Sequence, residues 1–304
     1  SIILFGCYCN DFYVIALSTT FLKNSLSKKI SLLTRIFFPK THYNELQRLE
    51  NYPSRHLKRP VKIDIYLPVD FFRHPEKSWP VLFFNDGQDM EAVALAQTLA
   101  KRSRKPDSKQ WIIAAIYAAN RMQEYGTAHQ ADYKNRGSKA GAYSQFITKE
   151  LLPFLQRRYR ASTAKSAHAI AGFSLGGLSA FDIAWNHPDI FFRVGVFSGS
   201  LWWRSKAFKP ADPDADRIVH QMVQQGKIRP GLRFWFQAGT KDETSDRNNN
   251  GIIDAIDDTL DLMKSLKNLG YSEADMQYVE VKNGEHNPAT WAKVLPKFLT
   301  WLEK

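Results

Sequence analysis

Cysteine is nearly absent from this chain. Cys7 and Cys9 are the two in 304 residues, and both lie in the first ten. A disulfide framework is excluded, and a Cys-x-Cys pair is too close to bridge easily. No run of about eighteen apolar residues occurs, so no transmembrane helix is expected. Internal repeats and long low-complexity tracts are missing, which excludes a repeat architecture. Acidic residues are outnumbered, 30 against 42 basic, for a formal net charge of +12. The excess is scattered in clusters such as Lys28-Lys29, Lys101-Arg102 and Arg157-Arg158. No nucleic-acid motif and no basic stripe with stacking aromatics accompanies it, so nucleic acid is not the expected partner.

What is present suits a packed globular chain. Apolar residues make up 44% and aromatics 13%, too much for a disordered chain and enough for one large core. Residues 1–40 read as a leader or extension, and 41–304 as a single domain. "SIILFGCYC" has the character of the end of a signal segment, and Leu4-Phe5-Gly6-Cys7 resembles a lipoprotein cleavage site except at Phe5. A periplasmic or envelope location is favoured slightly over the cytoplasm.

"HYNELQRLENYPS" (42–54) has too few apolar residues to fix a period. "VKIDIYLP" alternates, with Val61, Ile63, Ile65 and Leu67 on one face, and predicts an antiparallel strand near a sheet edge. Continuous apolar runs follow at 80–87, 111–117, 167–172, 192–199, 232–239 and 276–281. Such runs suit strands buried on both faces of a parallel sheet. Helical patterns sit between them, including "FITKELLPFLQRRY", "IIDAIDDTLDLMKSLKNLG" with Gly270 as its stop, and "NPATWAKVLPKFLTWLEK" with Asn287 as N-cap. The alternation predicts a doubly wound α/β domain whose active site lies at the carboxyl ends of the strands.

One such end carries "AHAIAGFSLGGLSAFDIAWNHP". Gly-x-Ser-x-Gly between a strand and a helix has the form of a nucleophile elbow, in which small residues let a sharp turn lift Ser174 out of the sheet. The alternative is a serine between two turn glycines. A serine needs a base and the base an orienting acid, in the chain order Ser, acid, His. Of eight histidines, His187, His220 and His286 follow Ser174, and only His286 sits in a loop between a strand and a helix where the base belongs. Asp242 follows the run ending at Gly239 and is the preferred acid; Glu243 beside it stays open. Two backbone N–H groups should hold the developing oxyanion: that of Leu175, and that of Gly87 or Gln88 in "NDGQDM".

"DRNNNGIIDAID" places Asp246, Asn248, Asn250, Ile252, Asp254 and Asp257 at the ligand positions of a twelve-residue calcium loop, with Gly251 at the sixth. The other reading is a polar turn at an acidic helix start. A calcium ion there would be structural, pinning the segment that carries Asp242; catalysis would need no cofactor.

Together, "DIYLP", "VLFFNDGQ", "NRMQEY", "ELLPFLQRRYR", "AGFSLGGLSAFDIAWNHPDIFFRVGVFSGSLWW", "AGTKDE" and "GEHNPATWAKVLPKFLTWL" resemble the putative esterase family of α/β-hydrolases over Pro60–Lys304. That family includes esterase D, enterochelin esterases, feruloyl and acetylxylan esterases, and mycolyltransferases. The resemblance implies an α/β-hydrolase fold, a mostly parallel sheet with an antiparallel N-terminal edge and helices on both faces. It also implies the triad Ser174, Asp242, His286. "DGQ" and "SGSLWW" are most similar to the enterochelin-esterase branch, in which the position of Arg121 contacts substrate; Trp202 and Trp203 would line the cleft, with Glu243 a further substrate contact. The expected activity is hydrolysis of a small-molecule or carbohydrate-linked ester, with a feruloyl, acetyl or catecholate acyl group. An acyltransferase on the same triad is the alternative, and a non-catalytic binding protein the remote one.

Overall fold

The computed structural model describes residues 45–304. The expected leader, with Cys7 and Cys9, lies outside them. Eight strands form one sheet: β1 Glu45–Ser54, β2 Arg59–Leu67, β3 Val81–Asn85, β4 Ile112–Ile116, β5 His168–Phe173, β6 Arg193–Phe197, β7 Arg233–Lys241 and β8 Met276–Glu285. Their order is β1-β2-β4-β3-β5-β6-β7-β8. β2 is antiparallel to both β1 and β4, and every pairing from β4 to β8 is parallel. This is the α/β-hydrolase order with its antiparallel N-terminal edge.

The apolar runs divide between the two faces of the sheet. Val81 and Phe83 join one core cluster while Leu82 and Phe84 join the other. Ile112, Ala114 and Ile116 split from Ile113 and Ala115 in the same way. A strand covered on both sides needs apolar residues at every position, which is why these segments read as continuous runs. β2 follows suit, since Val61, Ile63, Ile65 and Leu67 are fully buried on one face and Tyr66 packs on the other. The unassigned segment at 45–54 turns out to be β1. As an edge strand it stays largely exposed, and a bulge between Leu49 and Tyr52 breaks its alternation, so no period survived in the sequence.

Helices cover both faces. They are α1 Leu95–Arg102, α2 Ala140–Gln145, α3 Leu152–Tyr159, α4 Leu175–Asn186, α5 Ile218–Gln224, α6 Asp254–Leu269 and α7 Pro288–Trp301, with a one-turn helix at Arg121–Glu124. A π-helical turn, Phe146–Leu151, joins α2 to α3. Gly270 ends α6 in the left-handed region at φ 113°. The Asn287 side chain caps α7 by accepting from the Thr290 N–H at 2.9 Å. α7 buries Trp291, Val294, Leu295 and Phe298 against the sheet, each worth roughly 1.5–3 kcal/mol relative to exposure. Among the described residues no helix is long and apolar enough to cross a membrane.

Candidate active site

Ser174 stands between β5 and α4 with φ 54° and ψ −121°. A non-glycine residue rarely adopts such a backbone, and holding it costs on the order of 1–3 kcal/mol. The surroundings enforce it. The Ser174 N–H donates to the Phe197 carbonyl of β6 at 2.8 Å, and its own carbonyl accepts from Gly177, Leu178 and Ser200. The flanking glycines are required by space. A Cβ on Gly172 would lie 2.4 Å from the Gly176 carbonyl oxygen, and one on Gly176 would lie 2.4 Å from Asp86 Oδ2. Leu175 opens α4, where an N–H has no acceptor within the helix. The Ser174 hydroxyl is hydrogen-bonded to Ser200 Oγ at 3.3 Å; no hydrogen bond joins it to His286.

His286 follows β8 directly and precedes the α7 cap. Its Nδ1 lies 3.7 Å from Asp242 Oδ1, and its ring meets that of Trp291 edge-on at 5.4 Å. Asp242 follows β7 and is tightly held. Its Oδ2 accepts from the Gly239 N–H at 2.8 Å and its Oδ1 from Ser198 Oγ at 3.0 Å. Trp291 Nε1 in turn donates to Ser198 Oγ at 3.0 Å, and the Trp291 ring stacks on Phe173 at 4.7 Å, one residue before the elbow serine. Burial lowers the His286 pKa, helped by the charge of Arg121 and opposed by Asp242. The imidazole is therefore kept neutral at neutral pH, the form that can accept a proton. Burial also raises the Asp242 carboxyl, against the bonds from Gly239 and Ser198.

The turn after β3 approaches the elbow from the other side. Asp86 is left-handed, at φ 62° and ψ 52°, and starts a short 3-10 turn over Gly87–Asp89. Gly87 and Gln88 supply its opening N–H groups, which lack acceptors within the turn. A Cβ at Gly87 would meet the Tyr117 ring at 2.6 Å. The fully buried Asp86 carboxylate accepts from Arg121 Nε at 2.5 Å, Arg121 Nη2 at 3.1 Å and Gln88 Nε2 at 2.8 Å. The Asp86 N–H donates to Tyr125 Oη at 2.9 Å. Asn85 ties the turn to the elbow, donating to the Gly176 carbonyl at 2.7 Å and accepting from Tyr143 Oη at 2.7 Å.

The remaining expected contacts divide. Arg121 is partly exposed, and its guanidinium clasps Asp86. Trp202 is 38% exposed, whereas Trp203 is fully buried against Gly126 and Gly137. Arg136 lies over both rings. Of the two tryptophans expected to line the cleft, only Trp202 offers a surface; Trp203 serves the core. Glu243 is turned to the start of α6. Its carboxyl is pushed up to about 7, by burial first and then by Asp254 and Asp258, and it accepts from the Ala255 backbone. Between the two acids left open, Asp242 is the one beside His286. Ser198, Ser200, Asp86, Tyr125 and Trp291 were not anticipated. All five lie inside quoted segments, Ser198 and Ser200 in "SGSLWW", Asp86 in "VLFFNDGQ", Tyr125 in "NRMQEY" and Trp291 in "GEHNPATWAKVLPKFLTWL", but nothing in those segments gave them a role.

The acidic loop also folds on itself. The Asp246 carboxylate accepts from the Asn250 and Gly251 N–H groups at 3.1 and 2.8 Å. Asp257 Oδ2 accepts from the side chains of Asn248 and Asn250 at 2.8 and 3.2 Å. The Ile252 N–H donates to Asn250 Oδ1. These groups converge, and Gly251 at φ 85° allows the turn. Asp254 does not join them: its Oδ1 accepts from the Arg247 N–H and lies 3.2 Å from that guanidinium. Arg247 and Arg217 also pair with Asp214, Asp258 and Asp261. Asp246, Asn248, Asn250 and Asp257 are the side chains that would hold a cation; here the two amides direct their N–H groups to Asp257, and two guanidiniums already neutralise the acids behind the loop.

The family model of the putative esterases matches residues 54–302. Among solved structures, the chain is similar to a ferulic acid esterase at 19% identity and TM-score 0.65, covering 86% of this chain and 98% of that one. It is also similar to the enterobactin esterase FES from Shigella flexneri at 18% identity and TM-score 0.65, over 87% of this chain but only 62% of that one. An IroE-like serine hydrolase from Shewanella oneidensis matches at 20% identity and TM-score 0.63, over 86% of this chain and 80% of that one. At these identities the likeness concerns the fold.

Proposed function

The chain belongs to the putative esterase family, carboxylic-ester hydrolases on this fold, and from that premise we propose that it cleaves its ester through an acyl-enzyme on Ser174. His286 takes the proton from Ser174 Oγ as the oxygen attacks the ester carbonyl. Asp242 faces Nδ1 and fixes the tautomer that leaves Nε2 free to accept. The N–H of Leu175 and that of Gly87 or Gln88 receive the oxyanion. His286 then returns the proton to the leaving alcohol, and water, activated by the same imidazole, releases the acid. The observation that carries this reading is the elbow: Ser174 held at φ 54°, ψ −121°, with Asp242 and His286 ending the strands that follow. A ring at Trp202 and a cation at Arg121 suit an aromatic or anionic acyl group, feruloyl on a carbohydrate or a catecholate ester; acetyl on a carbohydrate, which uses neither feature, is the smaller alternative. The ferulic acid and enterobactin esterases among the structural neighbours support testing both.

The acidic loop extends the reading. A calcium ion held by Asp246, Asn248, Asn250, Asp257 and the Ile252 carbonyl would supply structural charge and take no part in ester chemistry.

A fluorophosphonate probe tests the nucleophile. It should label the wild type and not Ser174→Ala; a wild type that takes no label sinks the hydrolase reading. A panel of feruloyl, acetyl-sugar and catecholate esters, read for products with and without an acceptor alcohol, then assigns the substrate.

A further inference from the structure

Ser198 follows the last residue of β6 and is buried, with φ 45°, a backbone that glycine adopts freely and other residues rarely. Its N–H donates to the Gln237 carbonyl of β7 at 2.8 Å, which pins the turn to the neighbouring strand. A strained residue persists only where its surroundings over-determine it, and such residues cluster at functional sites.

The side chain at this turn has one available direction. A hydroxyl carries a single proton and can accept as well as donate, whereas an indole N–H only donates. Trp291 Nε1, 3.0 Å from Ser198 Oγ, therefore takes up a lone pair and leaves the Ser198 proton to an acceptor. Two acceptors are in reach, Asp242 Oδ1 at 3.0 Å and Gln237 Oε1 at 3.5 Å. The nearer is a carboxylate, and a charge-assisted bond is the stronger. The donation runs from Trp291 to Ser198 to Asp242 Oδ1, the oxygen that lies 3.7 Å from His286 Nδ1. The other oxygen, Oδ2, accepts from the Gly239 N–H at 2.8 Å. With both oxygens anchored the carboxylate keeps its orientation; anchored at Oδ2 alone, it is free to turn about that bond.

Resting on the triad of the proposed function, we propose that Ser198 is a positioning residue that holds the Asp242 carboxylate aimed at His286, and that Trp291 sets the direction of the Ser198 proton. Ser198 acts through Asp242 and does not touch substrate. Burial works against the charge of that carboxylate, and the Ser198 bond is one of those that oppose it.

Kinetics on p-nitrophenyl acetate across pH, with a double-variant cycle, test this. Ser198→Gly suits φ 45° and removes the hydroxyl without straining the turn. Its kcat on the pH plateau should fall about ten- to hundredfold, as for a small misplacement of a catalytic group. The positive end of the hydroxyl dipole also leaves the pair, so Asp242 and His286 hold their shared proton more tightly and the acid limb should move to higher pH. The other charged or titratable groups that feel this pair are Arg121 beside His286, and Glu243 and Tyr278 beside Asp242; the variants leave all three in place. Trp291→Phe keeps a ring against Phe173 and removes only the N–H donor, and should show a smaller loss with the limb moving the same way. In the Ser198→Gly background, Trp291→Phe should cost nothing further, because its effect passes through the hydroxyl. Losses that multiply in the double variant, or an acid limb that stays fixed in both single variants, would overturn the proposal. Asp242→Asn separates it from the triad reading. If Asp242→Asn loses activity and Ser198→Gly keeps wild-type kcat, the role of Ser198 falls alone; if Asp242→Asn keeps wild-type kcat, the triad falls and the role of Ser198 with it.

Discussion

Replacing Gly176 with alanine should damage catalysis more than stability. The new Cβ would stand 2.4 Å from Asp86 Oδ2 and 3.2 Å from Asn85 Cβ. Restoring even a 3.0 Å contact requires a shift of about 0.6 Å. The carboxylate cannot swing away freely, because it is fully buried and held by Arg121 at 2.5 Å and Gln88 at 2.8 Å. The turn must move as a body, and it carries the Gly87 and Gln88 N–H groups. Overpacking of this kind costs about 1–3 kcal/mol of stability. Displacing one oxyanion donor costs about 10²–10³ in kcat, or about 2.7–4 kcal/mol of transition-state stabilisation. Gly177→Ala is the control. Its Cβ would meet the Gly172 carbonyl at 3.0 Å and Val196 at 3.2 Å, without touching the turn. Steady-state kinetics on p-nitrophenyl acetate, paired with denaturant unfolding, separates the two effects. Gly176→Ala should lose kcat with KM little changed, whereas Gly177→Ala should lose stability and keep kcat. A Gly176→Ala enzyme with wild-type kcat, or equal losses of kcat in both variants, refutes the coupling of turn to elbow.

Three further outcomes follow from the same geometry. Asp242→Asn should lower kcat on the order of 10⁴-fold while Glu243→Gln leaves it nearly unchanged, and the reverse ranking would move the acid to Glu243. Because His286 must be neutral to act and its pKa lies below the usual 6.5, kcat/KM should fall only as pH drops below that value and stay flat above it. Arg121→Gln removes a charge that lowers this pKa, so the acid limb should move to higher pH; a fixed or falling limb contradicts the assignment. Calcium added after chelation should raise the Tm of the wild type and not of Asp246→Ala, while a wild-type Tm indifferent to calcium would leave the loop to Arg217 and Arg247 alone.

How much of this could be read from the sequence depended on how many neighbours each residue had to satisfy. β3 to β7 were legible because a strand buried on both faces must be apolar throughout. β1 was not, because an edge strand with a bulge is under no such demand. Ser174, Asp242 and His286 could be proposed as a triad because chain order and strand ends constrain such a set. Their supports could not. Trp291, Ser198 and Asp242 come from three elements that meet only in space, and an Asp-Gly turn does not announce that Arg121 and Tyr125 will hold it. Trp202 and Trp203 are adjacent and chemically identical. Only the packing of Gly126 and Gly137 on the second ring distinguishes the buried one from the exposed one.

The bond from Trp291 to Ser198 also bears on biosynthesis. Ser174 and its glycines leave the ribosome long before α7 does, yet the acid, the base and the brace behind Phe173 all depend on the segment from Asp242 to Trp301. On the proposed triad, a chain that stops before α7 would keep Ser174 but lack the Trp291 brace, and one that stops before residue 286 would also lack its base.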